Sequence, residues 1–146
     1  MSEPDGLLVT GTDPSRLRVC VLGNRGRGVV AVRMFLAGET VEVCPVILLP
    51  AKRAEMLDQT ELTAYYYWWP GHQNIALALG LGSLYNHSFS PNMACEAVGA
   101  ERVLVFRTLR RVEAGEELTH DYGWDLQDPL TPDWYREGSA TRGIRR

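Results

Sequence analysis

The feature that most limits the folds open to this chain is the shortness of its strand-forming runs. Leu17-Arg18-Val19-Cys20-Val21-Leu22, Val29-Val30-Ala31-Val32 and Thr40-Val41-Glu42-Val43-Cys44 are rich in β-branched residues and separated by glycine-bearing breaks. Met93 to Val98 and Arg102 to Thr108 flank Gly99 and read as a hairpin. Glu117-Leu118-Thr119 is a further short strand. Ala37-Gly38-Glu39 and Ala114-Gly115-Glu116 each turn the chain into such a strand, and they read as two similar turns, not as a repeat architecture. Pro50 to Gln59 has helix-forming composition with proline at its front, a short helix. The pattern predicts a mainly β domain of several small antiparallel sheets with little helix.

At 146 residues the chain makes one domain with a single core. Residues 1–15 are polar and carry Pro4, Gly6, Gly11 and Pro14, which predicts a flexible segment; 16–135 is the folded domain and 136–146 a disordered tail. Basic residues number 15 and acidic ones 18, a net charge of −3, so there is no electrostatic case for nucleic acid as partner. Lys52 is the only lysine, and the other basic residues are all arginine. Cys20, Cys44 and Cys95 are odd in number and far apart, which fits neither a disulfide framework nor a zinc site. No apolar run reaches the ~18 residues of a membrane span, and Met1-Ser2-Glu3-Pro4-Asp5 does not read as a signal peptide. The expected compartment is the cytoplasm, or the nucleus in a eukaryote.

Gly23-Asn24-Arg25-Gly26-Arg27-Gly28 parts the first two runs. A dinucleotide-binding loop would space its glycines Gly-x-Gly-x-x-Gly and open into a helix. Here the spacing is Gly-x-x-Gly-x-Gly and a β-branched run follows, so that reading fails. Read alone, the loop is a hairpin turn that needs positive φ. Tyr65-Tyr66-Tyr67-Trp68-Trp69 has the composition of a half-buried strand. Asn74 to Leu79 fits a buried strand or a helical turn, which periodicity does not separate.

The apolar run Ile75 to Leu81 should end in an ordinary surface loop. It ends instead in Leu84-Tyr85-Asn86-His87-Ser88-Phe89-Ser90-Pro91-Asn92, dense with hydrogen-bonding side chains. Gly115-Glu116-Glu117-Leu118-Thr119-His120-Asp121-Tyr122-Gly123 answers it about thirty residues later. His120-Asp121 by itself could open a metal-dependent hydrolase dyad, but one pair lacks the further ligands a metal needs. Together, Asn-His-Ser-x-x-Pro-Asn and Glu-Leu-x-x-Asp-Tyr, in that order, resemble the two signature motifs of SET-domain protein-lysine methyltransferases.

The resemblance covers residues 16 to 135. It implies the SET-domain fold, whose C-terminal segment passes beneath a loop of the preceding chain as a pseudoknot, a threading that sequence physics would not supply. It implies S-adenosyl-L-methionine as cofactor and a lysine-bearing protein as partner. The residues it sets on the cofactor are Gly26, Arg27, Gly28, Asn86, the backbone of His87, Tyr122 and Trp134. Trp134, in Pro132-Asp133-Trp134-Tyr135, would fold back on the adenine. The cysteine-rich segments that flank many members are lacking here, so no metal is expected. The substrate channel would be lined by His120, Cys95, Trp124 and Tyr85, and one tyrosine of the Tyr65 to Trp69 run can join it. The domain can also pair as a homodimer to complete its groove. The alternative is a SET-like module that binds peptide or cofactor without catalysis.

Methyl transfer from a sulfonium to an amine is an in-line displacement that needs alignment and a neutral nitrogen. Free lysine has a pKa of about 10.4, and both a neighbouring positive charge and an apolar channel lower it. No dedicated base is then required. Tyr122 is the catalytic candidate, acting by alignment and electrostatics, because a phenol with a pKa of about 10 is a poor base at neutral pH. Retention of Tyr122 favours an enzyme over a binding module. His120 stands where many members have Phe or Tyr, and Cys95 where some have tyrosine, so both bear on how many methyl groups are added.

Overall fold

A computed structural model describes residues 10–23, 26–129, 131 and 133–136, the side chain of Trp134 excepted. The smaller sheet runs in the order β1 (Leu17–Val21), β2 (Arg27–Ala31), β9 (Glu117–His120), β6 (Asn86–His87). The larger runs β4 (Tyr66–Trp68), β5 (Asn74–Ala78), β3 (Thr40–Pro50), β8 (Val103–Thr108), β7 (Met93–Val98). The mainly β reading therefore stands, with one correction: β6 and β9 run parallel, with Asn86 opposite Thr119 and His87 opposite His120. A two-residue strand is too short for any periodicity to announce it.

Each element follows from its residues. Pro50 precedes a 3-10 turn, Ala51–Arg53, that leads into α1 (Ala54–Asp58). β3 outruns the sequence reading, which stopped at Cys44. Its first half pairs with β8 and its second with β5, and Pro45 sits at the change of partner. The missing proline N–H is lost at a seam, where a ladder tolerates it. Asn74–Ala78 is a strand because β3 and β4 pair with it on either side.

The two Ala-Gly-Glu turns interlock. Phe35 and Val112 exchange backbone hydrogen bonds of 2.9 and 3.0 Å. Gly38 (φ 78°) donates to Thr108 O, at the end of β8, and Gly115 (φ 90°) donates to Ala31 O, at the end of β2. Each turn thus closes on the strand that precedes the other, a local two-fold exchange. In both, the glutamate accepts from the amide three residues back and from an arginine six back: Leu36 and Arg33 for Glu39, Glu113 and Arg110 for Glu116.

Val29, Phe35, Val41, Tyr85, Phe106, Val112 and Leu118 form one buried cluster that draws on both sheets. Each such side chain contributes about 1.5–3 kcal/mol by burial. Glu42 lies among them, 3% exposed, and its carboxylate accepts from Tyr85 Oη (2.7 Å), Thr12 Oγ1 (2.7 Å) and the Leu81 amide (3.2 Å). Thr12, with the Asp13–Arg16 turn behind it, thus joins the N-terminal segment to the buried Glu42. Residues 1–9 and 137–146 of the two expected loose ends lie outside the described residues.

Candidate active site

β9 lies between β2 and β6, so it carries Tyr122, two residues beyond its end, to the Asn86-His87 pair. Asn86 is 2% exposed, and its Nδ2 donates to Arg27 O (3.0 Å) and Glu117 Oε2 (2.8 Å). It therefore ties all three strands together. A Cβ on Gly28 would stand 2.8 Å from Asn86 Nδ2 and 2.5 Å from Glu117 Oε2, so close backbone approach demands glycine there. Gly26 meets the other demand, positive φ (76°). Arg27 enters through its carbonyl; its side chain is exposed.

The His87 ring is fully buried, 4.3 Å between centroids from Phe89 and likewise from Tyr135. Its Nδ1 accepts from the Tyr122 amide at 3.1 Å, so the neutral ring carries its proton on Nε2. His87 thereby fixes the backbone of the tyrosine that follows β9. Asn92 does the same for the strand, accepting from the Thr119 amide (2.9 Å) and donating to Glu117 O (2.8 Å).

Tyr122 donates its hydroxyl proton to Tyr85 O at 2.8 Å. Its ring lies 4.9 Å from His120 and 5.8 Å from Trp124. Tyr85 is thus at the site, but by its carbonyl. Its side chain does not line a channel: it is fully buried, 4.7 Å from Phe106, with the hydroxyl on Glu42. Burial, with that carboxylate beside it, pushes the Tyr85 phenol well above its ordinary value, which keeps it a donor.

His120 is 2% exposed, its ring stacked on Tyr67 at 5.8 Å. Tyr67 Oη donates to Gly82 O (2.6 Å) and lies 3.3 Å from His120 Nε2. With the phenol proton spent on Gly82, Nε2 donates to the phenol oxygen. Tyr67 is therefore the member of the aromatic run that reaches His120. Sequence reasoning could not select it, because alternation along β4 fixes only that Tyr67 faces away from Tyr66 and Trp68. Glu42 was missed altogether: a carboxylate in a strand reads as an outward residue. Cys95 packs half-buried opposite Phe106, whose ring is 5.5 Å from His120. Trp124 stacks on Tyr135 at 5.2 Å, and its amide donates to Tyr135 Oη. Trp134 falls in α2 (Asp133–Arg136), but its side chain lies outside the described residues.

A cavity of about 350 Å³ opens beside this centre, with Tyr66, Trp68 and Trp124 among its walls. Among the described residues no group of three or more His, Cys, Asp or Glu could hold a metal ion. No helix there is long and apolar enough to cross a membrane.

Comparison with known proteins identifies relatives of this chain. The SET domain family matches residues 26–123. A histone-lysine N-methyltransferase of Schizosaccharomyces pombe, H3 lysine-37 specific, is 37% identical over 101 residues, covering 68% of this chain and 67% of that protein. The N-lysine methyltransferase KMT5A-A of Xenopus laevis is 30% identical over 132 residues, 82% of this chain but 39% of that one. Among solved structures, CpSET8 from Cryptosporidium superposes with a TM-score of 0.62 at 24% identity, over 75% of this chain and 58% of that one. Apo ctPRC2, with substitutions in Ezh2, gives a TM-score of 0.62 at 22% identity, over 74% of this chain and 15% of that one. The chain belongs to the SET-domain family of protein-lysine methyltransferases.

Proposed function

We propose that this chain transfers methyl groups from S-adenosyl-L-methionine to the side-chain amine of a lysine in a protein substrate, with Tyr122 as the catalytic residue. The observation that carries the reading is the convergence of Asn86, His87 and Tyr122 around β9, with the Tyr122 hydroxyl anchored on Tyr85 O. In a eukaryote such a protein would work in the nucleus, as a histone-directed relative would.

The residues present fit the cofactor. Gly26 and Gly28 leave bare backbone beside Asn86, which suits the amino-acid end, and the rings of His87, Tyr122 and Tyr135 gather next to it. When bound, S-adenosyl-L-methionine supplies an electrophilic methyl group on a sulfonium. Gly26, Arg27, Gly28, Asn86 and the backbone of His87 would hold it, with Trp134 closing over the base.

The Tyr122 oxygen, its proton given to Tyr85 O, is left as an acceptor. It can take an N–H of the incoming amine and so turn the nitrogen lone pair along the line of displacement. The surrounding aromatic rings keep water away from that nitrogen and favour its neutral form. His120 and Tyr67, joined at 3.3 Å, bound the space into which further methyl groups must fit.

Incubation with labelled S-adenosyl-L-methionine and a lysate of the source organism, then mass spectrometry, tests this. Label on protein lysine is expected, and its loss in Tyr122→Phe. Label that persists unchanged in that variant would remove Tyr122 from the mechanism.

A further inference from the structure

β4 has two faces. Tyr67 points at His120, and alternation therefore puts Tyr66 and Trp68 on the other side, where they line the cavity. Those two rings meet edge-on, centroids 6.3 Å apart and planes at 77°. Trp124 supplies a further aromatic wall from the segment after β9. Three carboxylates share the lining: Asp58 at the end of α1, and Asp125 and Asp128 beyond Trp124. Among the described residues no lysine or arginine lines it. Asp58 takes only neutral donors among the described residues, Tyr66 Oη at 2.8 Å and Thr63 Oγ1 at 3.1 Å. Asp125 likewise takes the Gln127 amide at 2.8 Å. Neither Asp58 nor Asp125 has a cationic partner among the described residues.

Aromatic faces and carboxylates around one cavity are complementary to a cation. A guanidinium suits them best, being planar, able to stack on indole and able to bond a carboxylate through two N–H groups. The cavity also adjoins the reaction centre, since the Trp124 ring lies 5.8 Å from that of Tyr122. We propose that this cavity is a subsite for an arginine of the substrate segment, so that the protein selects lysines with an arginine nearby in the chain. The assignment rests on the methyltransferase reading for the identity of the neighbouring centre. The cation itself is argued from the cavity's own residues.

The test uses capped peptides with one central lysine, in which a single arginine is walked through the flanking positions. A matched set carries citrulline, the neutral isostere, in its place. Binding to the full chain is read by tryptophan fluorescence, and methyl transfer on the same peptides is measured separately. At one or two positions arginine is expected to tighten binding at least about tenfold over citrulline, with the gap narrowing as salt rises. Asp125→Asn and Asp58→Asn keep their accepting oxygens and remove the charge, and each should shrink the gap to about threefold or less. Trp68→Ala, at a half-exposed ring, should shrink it too without touching the core. Thermal melting confirms that each variant is folded. Equal affinity for arginine and citrulline peptides at every position overturns the subsite, as does competition by magnesium ion as strong as by the arginine peptide. An arginine preference in binding without any methyl transfer leaves the subsite standing and sinks the enzymatic reading instead.

Discussion

Tyr122 has one hydroxyl proton, and the Tyr85 carbonyl 2.8 Å away takes it. A residue placed to accept at the reacting nitrogen should matter in the transition state more than in cofactor binding. Tyr122→Phe is therefore expected to keep S-adenosyl-L-methionine affinity by calorimetry while single-turnover transfer slows at least about tenfold. His120 is the residue proposed to bear on the product. Its Nε2 bonds Tyr67 Oη, and phenylalanine would release that pairing and open the channel on one side. His120→Phe should raise the proportion of more highly methylated lysine, as read by mass spectrometry of a substrate over time. Identical mono-, di- and trimethyl ratios would exclude this position from product control. Tyr85 makes a different point about its own side chain. Tyr85→Phe leaves a buried Glu42 oxygen without that donor and should cost about 1–3 kcal/mol in denaturant unfolding.

At the scale of elements, the paired turns tie stability to pH. Burial pushes the Glu39 carboxyl up, but the Leu36 amide and Arg33 outweigh it and hold the group below its ordinary 4.5. Glu116 is held below the same value, first by Arg110 and then by the Glu113 amide. Stability from such lowered carboxyls is present above pH 4.5 and disappears as pH falls through their folded values. Glu39→Gln and Glu116→Gln should each lose less than about 1 kcal/mol at neutral pH, since both pairs are near the surface. Each should also flatten the fall in melting temperature below pH 4.5. A melting curve as steep in acid as wild type would mean that these carboxyls do not govern it. The turns themselves are legible in the sequence, because Ala-Gly-Glu announces a positive φ and a strand start. Their interlock is not, because Phe35 and Val112 become neighbours only through backbone bonds that no side chain encodes. The same divide runs through the site. Asn86, His87 and Tyr122 stand in local motifs, whereas Tyr67 and Glu42 reach it from distant strands whose own patterns say only strand.

For the molecule as a whole, order is expected to rest on the core and not on a metal. None of Cys20, Cys44 and Cys95 forms a disulfide, and burial pushes the Cys44 thiol upward, away from the thiolate a metal would need. Strong chelators should leave the melting temperature unchanged; a clear drop would reveal a structural ion. The position of β9 has a consequence for how the protein comes into being on the ribosome. Its immediate neighbours in the sheet, β2 and β6, are synthesised earlier and cannot complete their pairing until residues 117–120 have emerged. Until then Val29 and Val30 travel as an unsatisfied edge, open to mispairing with other nascent chains. Tyr122 follows two residues later, so the strand that ends this exposure and the residue proposed to confer chemistry arrive together. A chain cut short before Glu117 would be both unfinished and inert, and the cell would be spared a half-made methyltransferase.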